Sequence, residues 1–252
     1  MKLKNFISRR KHLLELAAFM MLCGVALSAH ADSGGINLNK TRLVFMANSG
    51  QVTVNVNNTS DSPWLITSRM SRFVDGKGNT PFFISPPVLR MEGHSSSLLR
   101  IVGDASQLPK DRESLFYLNV SGIPKSNPLS RDNDSGFVSG GIVYSVGNTI
   151  KMFYRPEGLV ASAEDAAKHL AFSRTPEGIV ANNASPYYVS MLSLRLNGRD
   201  VKFNEHQQEM IPPFSKATYI VQGTYPLSQS GRATWTAAND LGGVVTGNGE
   251  IK

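Results

Sequence analysis

Beyond residue 31 the chain contains no cysteine, because its only one is Cys23. No disulfide can therefore staple the rest, and the fold has to be held by core packing alone. Histidine is scarce as well: past residue 31 there are only His94, His169 and His206, none of them at ligand spacing from a partner. Three solvated histidines are expected rather than a metal site. The sequence holds no G-x-S-x-G elbow, no H-E-x-x-H, and no glycine-rich phosphate loop followed by lysine and serine or threonine. Its adjacent carboxylates Glu164 and Asp165 lie in an alanine-rich stretch, where they read as a solvated face. Neither an enzyme, nor a metal, nor a cofactor is expected.

Charge of one sign is weaker than the whole-chain figure suggests. The first residues, "MKLKNFISRRKH", are basic, "LLELAAFMMLCGVALS" is apolar, and "AHA" ends at Ala31 in a small-residue cleavage pattern. This is the layout of a secretory signal peptide spanning 1–31. Its apolar part is interrupted by Glu15 and is shorter than the roughly 20 residues that span a bilayer, so no membrane insertion is expected. The pair Arg9-Arg10 leaves general and twin-arginine export both open. Five basic residues and Glu15 leave with this segment, so +4 of the formal +7 goes and +3 remains. A nucleic-acid partner loses its support with them.

Long stretches of helical periodicity are missing too. From Ile36 to Tyr154 the chain runs as short β-branched and aromatic segments between turn residues, such as "TRLVFM", "QVTVNVNN", "SSSLLRIVG" and "SLFYLNVSGI". In "QVTVNVNN" the side chains of Val52, Val54 and Val56 share one face, the pattern of a half-buried strand. Only "LVASAEDAAKHLAF", residues 159–172, has helical character, and it reads as a linker with a short helical turn. Strands resume in "GIVANN", "YYVSMLSLRLNG", "KATYIVQG" and "RATWTAAND". No short internal repeat stands out. The expected organisation is all-β, with domains at 32–157 and 158–252.

One stretch resists a generic reading. In "GNTIKMFYRPEGL", residues 147–159, an apolar run encloses Lys151 and stops at Arg155-Pro156. Taken alone, Lys151 reads as a solvated edge-strand cation contributing under about 1 kcal/mol.

The segment "LPKDRESLFYLNVSGIP", together with "IKMFYRP", resembles the signature of the periplasmic chaperones of the chaperone–usher pathway, the PapD-like family that assembles pili. "NKTRLVF", "FFISPPVLRMEGHSSSLLRI", "NNASPYYVSMLSL", "MIPPFSKATY" and "WTAANDLGG" extend the likeness in order along the chain. The resemblance implies two immunoglobulin-like β-sandwich domains arranged as a boomerang with a cleft between them. It implies that Arg42 and Lys151 grip the C-terminal carboxylate of a pilus subunit, as charge-assisted hydrogen bonds. Ile142, Tyr144 and Val146 would enter the groove of a subunit lacking its last strand, with Phe137 extending that face, while Glu113, Arg155 and Asp240 would form a buried ionic network between the domains. Implied partners are pilus subunits, bound one to one, and an outer-membrane usher; implied location is the periplasm, with no ATP or other cofactor. The polar, glycine-bearing stretch between Pro124 and Lys151 is similar to the long-loop branch, which commonly has a disulfide there that this chain cannot make. Two rivals remain at this point, a secreted fibre subunit or adhesin and, more weakly, a carbohydrate-binding module.

Overall fold

The computed structural model describes residues 34–124, 145–176, 178–203, 209–220 and 231–252. Among them it is almost all β and forms two β-sandwich domains. In the first, β1 (Ile36–Leu38), β3 (Gln51–Asn58), β7 (Ser95–Gly103) and β5 (Phe82–Ser85) pair in that order. The facing sheet runs β2 (Arg42–Met46), β9 (Val146–Arg155), β8 (Ser114–Pro124), β4 (Trp64–Ser71) and β6 (Val88–Met91). Every neighbouring pair is antiparallel except β2 and β9, which run parallel from Arg42↔Lys151 to Met46↔Arg155. The chain therefore starts in one sheet, crosses near Thr41, and lays its second strand along the last strand of the other.

Alternation decides what is buried between the sheets. Leu43 and Phe45, Val54 and Val56, Leu99 and Ile101, Phe116 and Leu118 all point inward. Phe82 sits at the centre, its ring 4.8 Å from Phe45 and 4.9 Å from Phe116. The peptide bond between Ser85 and Pro86 is cis.

In the second sandwich the order is β13 (Arg199–Asp200), β12 (Val189–Leu196), β16 (Gly231–Ala238), β17 (Val244–Ile251), β10 (Ala171–Thr175), β11 (Gly178–Asn183) and β15 (Ser215–Tyr219), with β14 (Met210–Ile211) also on β12. A short parallel contact, Phe172↔Ile251, joins β10 to β17 and lets the sheet fold over its own core. One short helix, α1 (Ala163–Lys168), precedes β10, with Ser162 Oγ accepting from Asp165 N at its start. The helical turn read within 159–172 is this helix. The strand expectation did not include β17, whose Gly247 and Gly249 lower its β propensity. Tertiary contact explains the first of these: Gly247 faces Trp235 across the ladder, and a Cβ there would collide with the indole. Trp235 is itself fully buried, and its Nε1 donates to Ala167 O at 2.7 Å.

Each sandwich also turns one corner with the same buried asparagine device. Asn58 Nδ2 donates to Ser62 O and Glu92 O, while its Oδ1 accepts from Ser60 N and Oγ. Asn183 Nδ2 donates to Tyr187 O and Pro212 O, while its Oδ1 accepts from Ser185 N and Oγ. The two copies of N-N-x-S, at 57–60 and 182–185, are thus an internal repeat that the sequence reading passed over. It satisfies buried backbone carbonyls that would otherwise cost about 1–3 kcal/mol each.

Replacing Gly247 by valine should lower stability by about 1–3 kcal/mol through overpacking against Trp235. Gly35→Ala, whose Cβ would meet nothing within 4 Å, should stay within about 0.5 kcal/mol of the parent. Urea unfolding of both variants checks this, and an unshifted midpoint for Gly247→Val would mean that the indole can move aside.

Candidate functional site

The parallel register of β2 and β9 sets Arg42 directly beside Lys151. In-register residues on adjacent strands project to one face, so the two cations point the same way. Both are half-buried, and neither forms an ion pair among the described residues. Arg42 Nη1 donates to Ala238 O at 3.1 Å, and its guanidinium carbon lies 5.9 Å from the centre of the Phe153 ring. Its Nε is buried and has no hydrogen-bond partner. Burial holds Lys151 below the ordinary lysine range, and repulsion from Arg42 adds to the effect. Arg42 is lowered by burial too, against a weaker opposing pull from Asp240 and Glu113. Two like charges, partly stripped of water and left with spare donors, make a receptor for an anion. A carboxylate, with two oxygens and no proton, fits that donor set.

Two residues further along the same face comes Phe153, against Tyr188 at 5.6 Å between ring centres, and two further comes Arg155. Arg155 Nε donates to Glu113 Oε1 at 2.8 Å, and its two terminal nitrogens donate to the two oxygens of Asp240 at 2.7 and 2.8 Å. Glu113 is only 3% exposed; its Oε2 accepts from Tyr188 N at 2.8 Å, and its own N donates to Pro186 O at 2.9 Å. These contacts tie the first sandwich, through Glu113 and Arg155, to the second. Burial pushes the Glu113 carboxyl up, opposed by the neighbouring guanidinium. For Arg155 burial acts downward but is outweighed by the hydrogen bond to Asp240 and the charge of Glu113, so it stays protonated. Nearby, the tip of the β16–β17 hairpin presses on the residue before Arg42. A Cβ on Gly242, which has φ +84°, would strike Thr41 Oγ1.

Of the residues expected to form a donor strand, Val146 opens β9 opposite Gly122 and is 47% exposed. It shares its side of the strand with Ile150 and the buried Met152, so the inward-facing row continues past the end of the core. Ile142, Tyr144 and Phe137 lie outside the described residues. The strand itself pairs with β8 from Val146 to Tyr154 but with β2 only from Lys151 onward. From Val146 to Ile150 its second edge is unclaimed among the described residues. Sequence reasoning gave Phe153, Tyr188 and the Ala238 carbonyl no part in this site. Their role is visible only once the two sandwiches meet.

Family comparison matches residues 35–160 to the pili and flagellar-assembly chaperone PapD N-terminal domain and residues 165–249 to the pili assembly chaperone PapD C-terminal domain. The chain belongs to the PapD family of pilus-assembly chaperones. It is similar to chaperone protein HifB of Haemophilus influenzae, at 32% identity over 92% of this chain and 93% of that protein. With chaperone protein FocC of Escherichia coli it shares 32% identity over 82% of this chain and 86% of the relative. Among solved structures, that of the E. coli chaperone DraB superposes with a TM-score of 0.73 at 30% identity, covering 87% of this chain and 97% of the other. A Salmonella enterica SafA pilin in complex with the SafB chaperone gives 0.72 at 25% identity, covering 85% and 95%.

Removing one member of the buried network leaves the others charged and unpaired. Arg155→Ala should therefore cost about 3–5 kcal/mol, read as a lower urea midpoint. A loss below about 1 kcal/mol would show instead that water enters and solvates Glu113.

Proposed function

We propose that this protein is a periplasmic chaperone that binds pilus subunits one to one and delivers them to an outer-membrane usher, with residues 1–31 as its export signal. The observation that carries the mechanism is the pair of half-buried, unpaired cations at Arg42 and Lys151 beside a strand edge with which no described strand pairs. A subunit's terminal carboxylate accepts from Arg42 and Lys151, which fixes where its chain starts along β9. Its open groove then takes that edge as the missing strand: backbone groups complete the ladder, and alternate side chains, Ile142, Tyr144 and Val146, fill the pockets. Each buried apolar side chain contributes about 1.5–3 kcal/mol before ordering costs. The network at Arg155 holds the second sandwich against the first, so that Ala238 O stays available to orient Arg42. Support for the partner comes from the similar SafB chaperone, which was solved with a pilin. This cycle needs no bond made or broken and no cofactor.

Co-expression with a tagged pilus subunit tests the reading. Wild type should co-purify as a one-to-one complex, while Lys151→Ala and Arg42→Ala should fold but bind at least about thirtyfold more weakly, from a loss of about 2–5 kcal/mol. Full retention of the complex in both variants would remove the carboxylate anchor.

Binding should also depend on pH in a defined direction. Lys151 is held below its ordinary value of 10.5 in the free protein, and a bound carboxylate raises it again. Complex formation thus takes up a proton wherever free Lys151 is neutral. Affinity should be level below the depressed value and fall as pH rises through it, whereas Lys151→Arg should flatten the profile. An equal slope in both proteins would assign the titration to another group.

A further inference from the structure

The loop from β4 to β5, "RFVDGKGNTP", carries chemistry that subunit binding does not use. It folds back on itself, with the amides of Arg72 and Phe73 both donating to Lys77 O, at 3.1 and 3.0 Å, and Gly76 N donating to Phe73 O at 3.1 Å. This closure turns two large apolar side chains outward: Phe73 is 59% exposed and Val74 65%. Gly76 has φ +79°, and a Cβ there would collide with the guanidinium of Arg69. The loop is thus shaped to admit that side chain closely. The Arg69 side chain makes no hydrogen bond or ion pair with any described residue, and Lys77, largely exposed, is paired only with Asp75. Arg69, Gly76, Lys77, Gly78, Thr80 and Phe83 line a cavity of about 660 Å³. On its rim Phe83 is 70% exposed and faces Val102 across the ladder.

A cationic cup whose wall is glycine backbone suits a phosphate ester, and exposed phenylalanine and valine around it suit a hydrocarbon phase. Single exposed apolar residues are ordinary, but three beside an unpaired arginine are the amphipathic pattern of an interfacial anchor. We propose that this edge of the first sandwich docks on an anionic phospholipid surface. The headgroup phosphate sits in the cup with Arg69 and Lys77 as donors, and Phe73, Val74 and Phe83 enter the acyl boundary. Complementary charge favours this occupant over a second protein strand at β5, which would leave Arg69 without an anion. Docking here leaves Arg42, Lys151 and the free edge of β9 unused.

Sedimentation of the mature protein with phosphatidylglycerol–phosphatidylcholine vesicles tests the proposal against pure phosphatidylcholine. Binding should require the anionic lipid and weaken with salt. Arg69→Gln should reduce it about fivefold, as expected for one cation near a charged surface, and Val74→Ser should reduce it independently. Both side chains are exposed, and an unchanged melting temperature verifies that the variants fold. Equal binding to both vesicle types, no binding, or wild-type behaviour in both variants would overturn the proposal. So would tight binding of inorganic phosphate or glycerol phosphate without vesicle binding, which would make the cup a site for a soluble ester. Self-association in the absence of vesicles, abolished by Phe83→Ser, would assign the edge to a second copy of the chain.

Discussion

Everything at the candidate site depends on one parallel pairing. Because β2 runs alongside β9 in the same direction, its first residue meets Lys151, and its register then carries through to Arg155. An antiparallel second strand would have placed Arg42 at the far end, beside Arg155, where a second cation would have had to share Glu113 and Asp240. The same pairing stops at Lys151, so from Val146 to Ile150 β9 lies against β8 alone among the described strands. A single choice of strand direction thus sets both the cation pair and the unpaired ladder beside it.

Along one face of β9, Lys151, Phe153 and Arg155 show how differently two cations on one strand can be treated. Arg155 is paired with Asp240 and with Glu113, itself held by Tyr188 N, so its burial is compensated and it works as a clamp. Lys151 and Arg42 have no such partners, and burial together with mutual repulsion disfavours their charged forms. A buried ion pair is weak evidence for stability in general, because desolvation offsets much of its attraction. Here its value is positional: it joins the sandwiches so that Ala238 O and Tyr188 close around the unpaired cations.

How much of this was legible beforehand follows from the range of each interaction. Strand alternation is local, and the inward rows of β3 and β8 could be read directly from "QVTVNVNN" and "SLFYLNVSG". By contrast β17 was not read, since its Gly247 answers to Trp235 on a different strand rather than to any local preference. The paired N-N-x-S corners were present as letters, but their meaning depends on carbonyls at Glu92 and Pro212, each far along the chain. Arg42 and Lys151 are likewise remote in sequence. No periodicity brings them together, and only the family resemblance pointed to them.

That limit is physical. A site made of cations that stabilise the fold leaves a trace in the sequence as complementary charges nearby. The pair at Arg42 and Lys151 leaves little: the pull of Asp240 and Glu113 on Arg42 is weaker than the effect of its burial, and neither cation forms an ion pair among the described residues. Burying two unmatched charges destabilises the free protein, and in a chain without a disulfide the cost has to be offset by the aromatic cluster around Phe82 and by the Arg155 clamp. On the proposed reading, the poor electrostatics of this pair and a capacity to hold a carboxylate are one property, and a fold that satisfied Arg42 and Lys151 internally would have nothing left with which to bind.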